Sequence, residues 1–134
     1  MSSWPADVEH FYAELAESRG WSADTVAAIR ATVELVRDLD LGTAPRTYGV
    51  RRDDDGSVWM FQAVWHEGGW VVVRQLETAP DRPATRYWWQ RIEDDNGMLA
   101  DKALDREAWG LSELGREEFY AAWDDPDWPD NQDS

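Results

Sequence analysis

Residues 47–77 read TYGVRRDDDGSVWMFQAVWHEGGWVVVRQLE, and the fold turns on how they are divided. Asp55-Gly56 supplies the positive φ that a tight turn needs, so Thr47–Arg52 and Ser57–Trp65 form the two arms of a hairpin. A second turn falls at His66-Glu67-Gly68-Gly69, and Trp70–Glu77 follows as a third strand. Side chains alternate along a strand, which places Trp59, Phe61, Ala63 and Trp65 on one face and Val58, Met60, Gln62 and Val64 on the other. Both faces are largely apolar and both need cover. A helical layer is expected on one; the C-terminal segment or a partner closes the other, or it stays an exposed aromatic surface.

Downstream, two prolines in Ala79–Pro83 imply a longer connection, and Thr85–Ile92 is the expected fourth strand. Glu93-Asp94-Asp95-Asn96-Gly97 is a turn signal, and Met98–Leu104 is a candidate fifth strand. Upstream, the period changes from two to about 3.6. Val8, Phe11, Tyr12 and Leu15 lie at i, i+3, i+4 and i+7 behind Pro5, giving a helix that runs to about Ser18 and stops at Gly20. Ser22 offers an N-cap to a second helix with the stripe Val26, Ile29, Val33 and Val36, closed by Leu39, Leu41 and Gly42 before Pro45. Gly115 caps a last short helix, with Glu117 and Glu118 at the favourable end of its dipole and Phe119, Tyr120 and Trp123 turned inward.

The expected class is α+β in one domain, residues 1–123: a helical hairpin (1–45) packed on a four- or five-stranded antiparallel meander (46–104), then a short helix (115–123). Residues 124–134 hold five Asp and two Pro and are expected to be an acidic flexible tail.

Charge narrows the function classes. With 28 Asp and Glu against 13 Lys and Arg the net charge is −15, and it is uneven: −5 over residues 1–45, +1 over 46–92 and −11 over 93–134. Such a surface repels phosphate backbones, so direct nucleic-acid binding is not expected. Without cysteine there is no disulfide, thiolate zinc site or cysteine nucleophile. No apolar run nears the roughly 18 residues of a membrane span and no basic, apolar leader opens the chain, so a soluble cytoplasmic protein is expected. A single lysine, Lys102, stands against twelve arginines, as GC-rich coding or salt adaptation would give.

The catalytic inventory is thin. His10 and His66 are the only histidines and sit in different elements; His10 is expected at the edge of its helix's apolar face and His66 as a solvated turn residue. No Gly-x-Ser-x-Gly elbow, phosphate-binding loop or dinucleotide fingerprint occurs. Counting back from Gly56 or Gly97 puts Arg51 or Ile92 where a calcium loop needs Asp. No cofactor or metal is expected.

Ten tryptophans are the unusual part of the composition. Trp59, Trp70 and Trp88 are expected in the core, since each indole buries on the order of 200 Å². Alternation sends Trp88 and Trp89 to opposite faces, which leaves one as a surface ring. Arg51, Arg52, Arg74, Arg86 and Arg91 interleave with these aromatics, either as stems covering the sheet or as an interface, because Trp, Tyr and Arg dominate binding hot spots. Trp128 stands alone in the acidic tail. The candidate partner-binding residues are therefore Trp65, Trp89, Arg74, Arg91, Asp94, Asp95 and Trp128.

The expected function is a noncatalytic acidic binding module, an inhibitor, immunity-type partner or adaptor, steered by charge to a basic protein. One alternative is a nucleic-acid mimic whose carboxylates in 93–134 stand in for phosphates. Another is a small-ligand or carbohydrate binder or hydrolase, which needs an open tryptophan face, a concave pocket and an acid of raised pKa.

Overall fold

The computed structural model describes residues 4–124; Trp128 and the rest of the acidic tail lie outside the described residues. Helix α1 (Ala6–Arg19) begins directly after Pro5 and ends at Gly20, whose φ of 66° lets Trp21 N–H reach back to Ala16 O at 3.0 Å. Helix α2 (Ala23–Leu41) starts where Ser22 Oγ accepts from Thr25 N–H at 3.2 Å. Strands β1 (Arg46–Arg52), β2 (Val58–His66), β3 (Gly69–Ala79) and β4 (Arg82–Tyr87) form an antiparallel meander. A separate ribbon pairs β5 (Glu93–Asp94) with β6 (Gly97–Met98). β7 (Ser112–Glu113) then returns to the main sheet beside β1, giving the order β4-β3-β2-β1-β7, and α3 (Arg116–Trp123) closes the domain.

The two hairpin turns form where turn chemistry places them. Gly56 has φ 92°, and Glu67 and Gly68, at 48° and 85°, make a two-residue loop with both residues left-handed. Trp65 is consequently opposite Trp70. Between Gln62, which faces Arg74, and Ala63, which faces Val72, the register shifts and Val73 becomes the extra residue of a bulge.

Three expectations need correction. The fourth strand covers 82–87, not 85–92: Pro80-Asp81 suffices as the turn, Pro83 is tolerated because β4 is an edge, and paired Trp88 and Arg91 backbones close a turn after Tyr87. The fifth strand of the main sheet is β7, not 98–104, because Met98 is taken by β5. The stripe of α2 is incomplete: Val33 and Val36 are buried, but Val26 is 38% exposed, since that end of the helix faces α1 across a groove.

Cross-strand partners share a face, so Tyr48, Val50, Met60, Gln62, Arg74, Leu76 and Arg86 lie on one side of the sheet. Leu114 and, from α3, Phe119 and Trp123 cover that side. Phe61, Gln75 and Tyr87 lie on the other, where Phe61 and Tyr87 share a core with α1, α2 and residues 88–111. There the Trp109 ring is 5.3 Å from Phe61. Leu111 packs on the backbone at Gly49, where a Cβ would come within 3.0 Å of it. Both apolar faces are thus covered from within the chain except at Trp65.

Candidate functional site

Asp40 closes the last turn of α2 with its side chain 1% exposed. Arg74 donates to both its carboxylate oxygens, each at 3.1 Å, and Arg46 to one at 3.2 Å. Arg46 also donates to the Gln62 side-chain oxygen, and Gln62 Nε2 donates to Tyr120 OH at 2.8 Å. The Arg74 guanidinium lies 5.2 Å from the Trp123 ring centre and 5.7 Å from that of Tyr120. Arg74 is therefore a clip joining α2, the sheet and α3. Arg91, the second candidate arginine, lies over Phe11 at 5.7 Å. Arg86 is buried and donates to Trp123 O at 2.8 Å.

The acidic turn is occupied in the same way. Asp94 Oδ1 accepts from Tyr87 OH at 2.8 Å and from the Asn96 and Gly97 amides. Arg19, at the end of α1, donates to Glu93 at 3.1 Å, to Asp95 at 3.3 Å and to the Asp94 carbonyl. These bonds push the guanidinium pKa up. Burial, reinforced by Asp94, raises the Tyr87 hydroxyl well above its ordinary value. Burial likewise raises Glu77, which accepts from Gln75 Nε2 at 2.7 Å.

The tryptophans divide sharply. Trp89, expected as a surface ring, is 8% exposed, with Arg37 above it at 5.9 Å. Trp59, Trp70 and Trp88 are half-buried against the core. Trp65 is 44% exposed, its ring 5.2 Å from Trp70 at an interplanar angle of 70°. Its N–H donates to Pro45 O at 3.0 Å, and Leu104 N–H donates to Trp70 O at 2.8 Å, so the 41–45 link and the 101–105 loop flank the pair. Leu41, at the head of that link, is 69% exposed. His66 Nε2 is 2.7 Å from Glu67 Oε2 at the hairpin tip. His10 is solvated and not partly buried, and pairs with Glu14.

The candidate residues are thus not gathered into one patch: Trp65 stays an exposed ring, Arg74 and Asp94 are engaged in internal contacts, Asp95 is exposed and makes a surface pair with Arg19, and Trp128 is beyond the described residues. Sequence reasoning missed Trp70 as the neighbour of the exposed ring. The two-residue loop at Glu67-Gly68 held the signal for Trp70, because it pairs residues 65 and 70.

A groove of about 160 Å³ lies between α1 and α2, walled by Trp4, Tyr12, Trp21, Val26 and Ile29. Its one lining carboxylate, Glu9, is bound by both Arg30 nitrogens at 2.9–3.0 Å, which lowers its pKa. The raised acid, Glu77, lies elsewhere, so this concavity does not combine the features that hydrolysis needs. Among the described residues no three His, Asp or Glu side chains converge as a metal site, and no helix is long and apolar enough to cross a membrane. No family model, no curated protein and no solved structure matches this chain.

Proposed function

We propose that the chain is a noncatalytic acidic binding module, of inhibitor, immunity or adaptor type, that engages a basic protein. The observation that carries this reading is how the charges are sorted on folding. Arg19, Arg30, Arg46 and Arg74 are engaged with carboxylates of the same chain, Arg86 is buried against Trp123, and Arg106 bonds Thr47 and the Tyr48 carbonyl. Asp7, Glu17, Asp24, Asp54, Asp101, Glu107, Glu113 and Glu117 stay exposed. Arg51, Arg52, Arg82, Lys102 and Arg116 are exposed as well, but the exposed acids outnumber them, so the field around the molecule is negative. Such a field raises the encounter rate with a basic protein and repels acidic ones. On the face that a sugar-stacking site would use, Phe61 is buried and Trp59 half-buried, and only the Trp65 end is open.

The test begins with the immobilised chain in nuclease-treated host lysate, washed in dilute buffer and then at about 1 M salt, where the Debye length falls to about 3 Å. The retained protein is identified, purified and titrated back. A basic protein whose affinity falls steeply with salt and survives added DNA is the expected result. Displacement by DNA would move the reading to nucleic-acid mimicry, and a salt-insensitive neutral partner, or none, would sink it.

A further inference from the structure

We infer that the basic partner docks on the loop end of the β2–β3 hairpin, with Trp65 as its anchor; this rests on the basic-partner reading above and adds a place and a contact chemistry. Trp65 is the described tryptophan left most open to solvent, whereas the other rings are buried or half-buried. Its backbone N–H, bonded to the Pro45 carbonyl, fixes the strand end, and its ring is braced against the ring of Trp70. A rigid, exposed indole presents a large contact area with little freedom to lose, the quality that makes tryptophan a hot-spot residue. Leu41 adds a second exposed apolar group four residues before Pro45.

The surroundings select the partner. Glu67, Asp101 and Asp105 lie exposed on the hairpin tip and the 101–105 loop that frame the two rings, with Lys102 the one base on those two segments. An apolar centre inside a carboxylate rim suits a protein that offers arginine or lysine around an apolar contact, with a guanidinium free to stack on the indole. A second copy of this chain fits badly, because it would bring the same acidic rim, and a net charge of −15, against itself.

The probe is a peptide alternating arginine with leucine, titrated into the ¹⁵N-labelled full chain beside an equally charged peptide alternating arginine with glycine. The Trp65 indole N–H and the amides of Leu41, Glu67, Gly68 and Lys102 are expected to shift first, and the leucine peptide to bind more tightly. Trp65→Ala should cost at least about tenfold in affinity with unchanged circular dichroism. Glu67→Lys with Asp101→Lys should weaken binding in dilute buffer and lose its effect at high salt.

Shifts centred on Glu117 and Glu118 or on Asp53–Asp55, with Trp65→Ala binding as the parent does, would overturn this surface and leave the basic-partner reading standing. No shift with either peptide in dilute buffer would overturn both. Concentration-dependent dimerisation abolished by Trp65→Ala would assign the surface to a second copy instead.

Discussion

Single side chains hold this molecule together across long stretches of sequence. Tyr12 OH donates to Trp89 O at 2.6 Å and accepts from Ile92 N–H at 2.9 Å, both buried. Tyr12→Phe leaves a carbonyl and an amide without their partner and should cost about 1–3 kcal/mol in urea unfolding; a loss below about 0.5 kcal/mol would mean the two groups find other partners. Asp40→Asn should cost more, about 3–5 kcal/mol, because two arginines lose their counter-charge inside the protein. Pairing it with Arg74→Leu should recover part of that loss, and strict additivity of the two changes would refute the coupling. Glu77 carries a pH signature. Burial raises its folded pKa above the unfolded value of about 4.3, so the folded state holds the proton more tightly, and this stabilisation is full below the unfolded pKa and fades as pH rises through the folded one. Glu77→Gln should therefore exceed the parent in stability most at neutral pH, with the gap closing toward pH values near 4.3. Unfolding curves that run parallel across that range would refute it.

At the level of elements, what was legible in the sequence is what short-range chemistry decides. Gly20 shows this for a helix end: nothing lies within 4 Å of an added Cβ, so Gly20→Ala tests backbone strain alone. It should cost about 1 kcal/mol, read from thermal melts, and Gly20→Asn should cost less; a neutral alanine would show that the turn relaxes. Both tight turns of the meander were equally readable, because Asp55-Gly56 and Glu67-Gly68 need nothing distant to form. Strand β4 was shifted in the reading because Pro83 resembles a breaker, whereas an edge strand does not require its N–H. β7 was illegible for a different reason: two residues carry no periodicity, and only their partners Gly49 and Val50 define them. The site divides along the same line. Trp65 is exposed beside its own turn, a local matter. Trp89 was misjudged because alternation presumes a strand that continues, and the chain turns at Trp88–Arg91 instead. Asp94 is engaged by Tyr87 and its own turn, whereas the pairing of Asp95 depends on Arg19, more than seventy positions earlier.

For the whole molecule, fifteen excess negative charges repel one another in the compact state. The melting temperature should therefore rise with KCl until screening is nearly complete, at a few hundred millimolar, where the Debye length is below about 8 Å. A chain that stays unfolded until molar salt is reached would instead mark its acidity as adaptation to a saline habitat. The cross-links from α1 to the segment around Glu93 also govern when the domain can form. Tyr12 and Arg19 find their partners 74 to 80 residues later in the chain. On the ribosome the first helix can pair with α2 through Glu9 and Arg30 long before these later partners exist. Tyr12 and Arg19 must then wait through most of synthesis, until residues 89–93 clear the exit tunnel and let the helical hairpin dock.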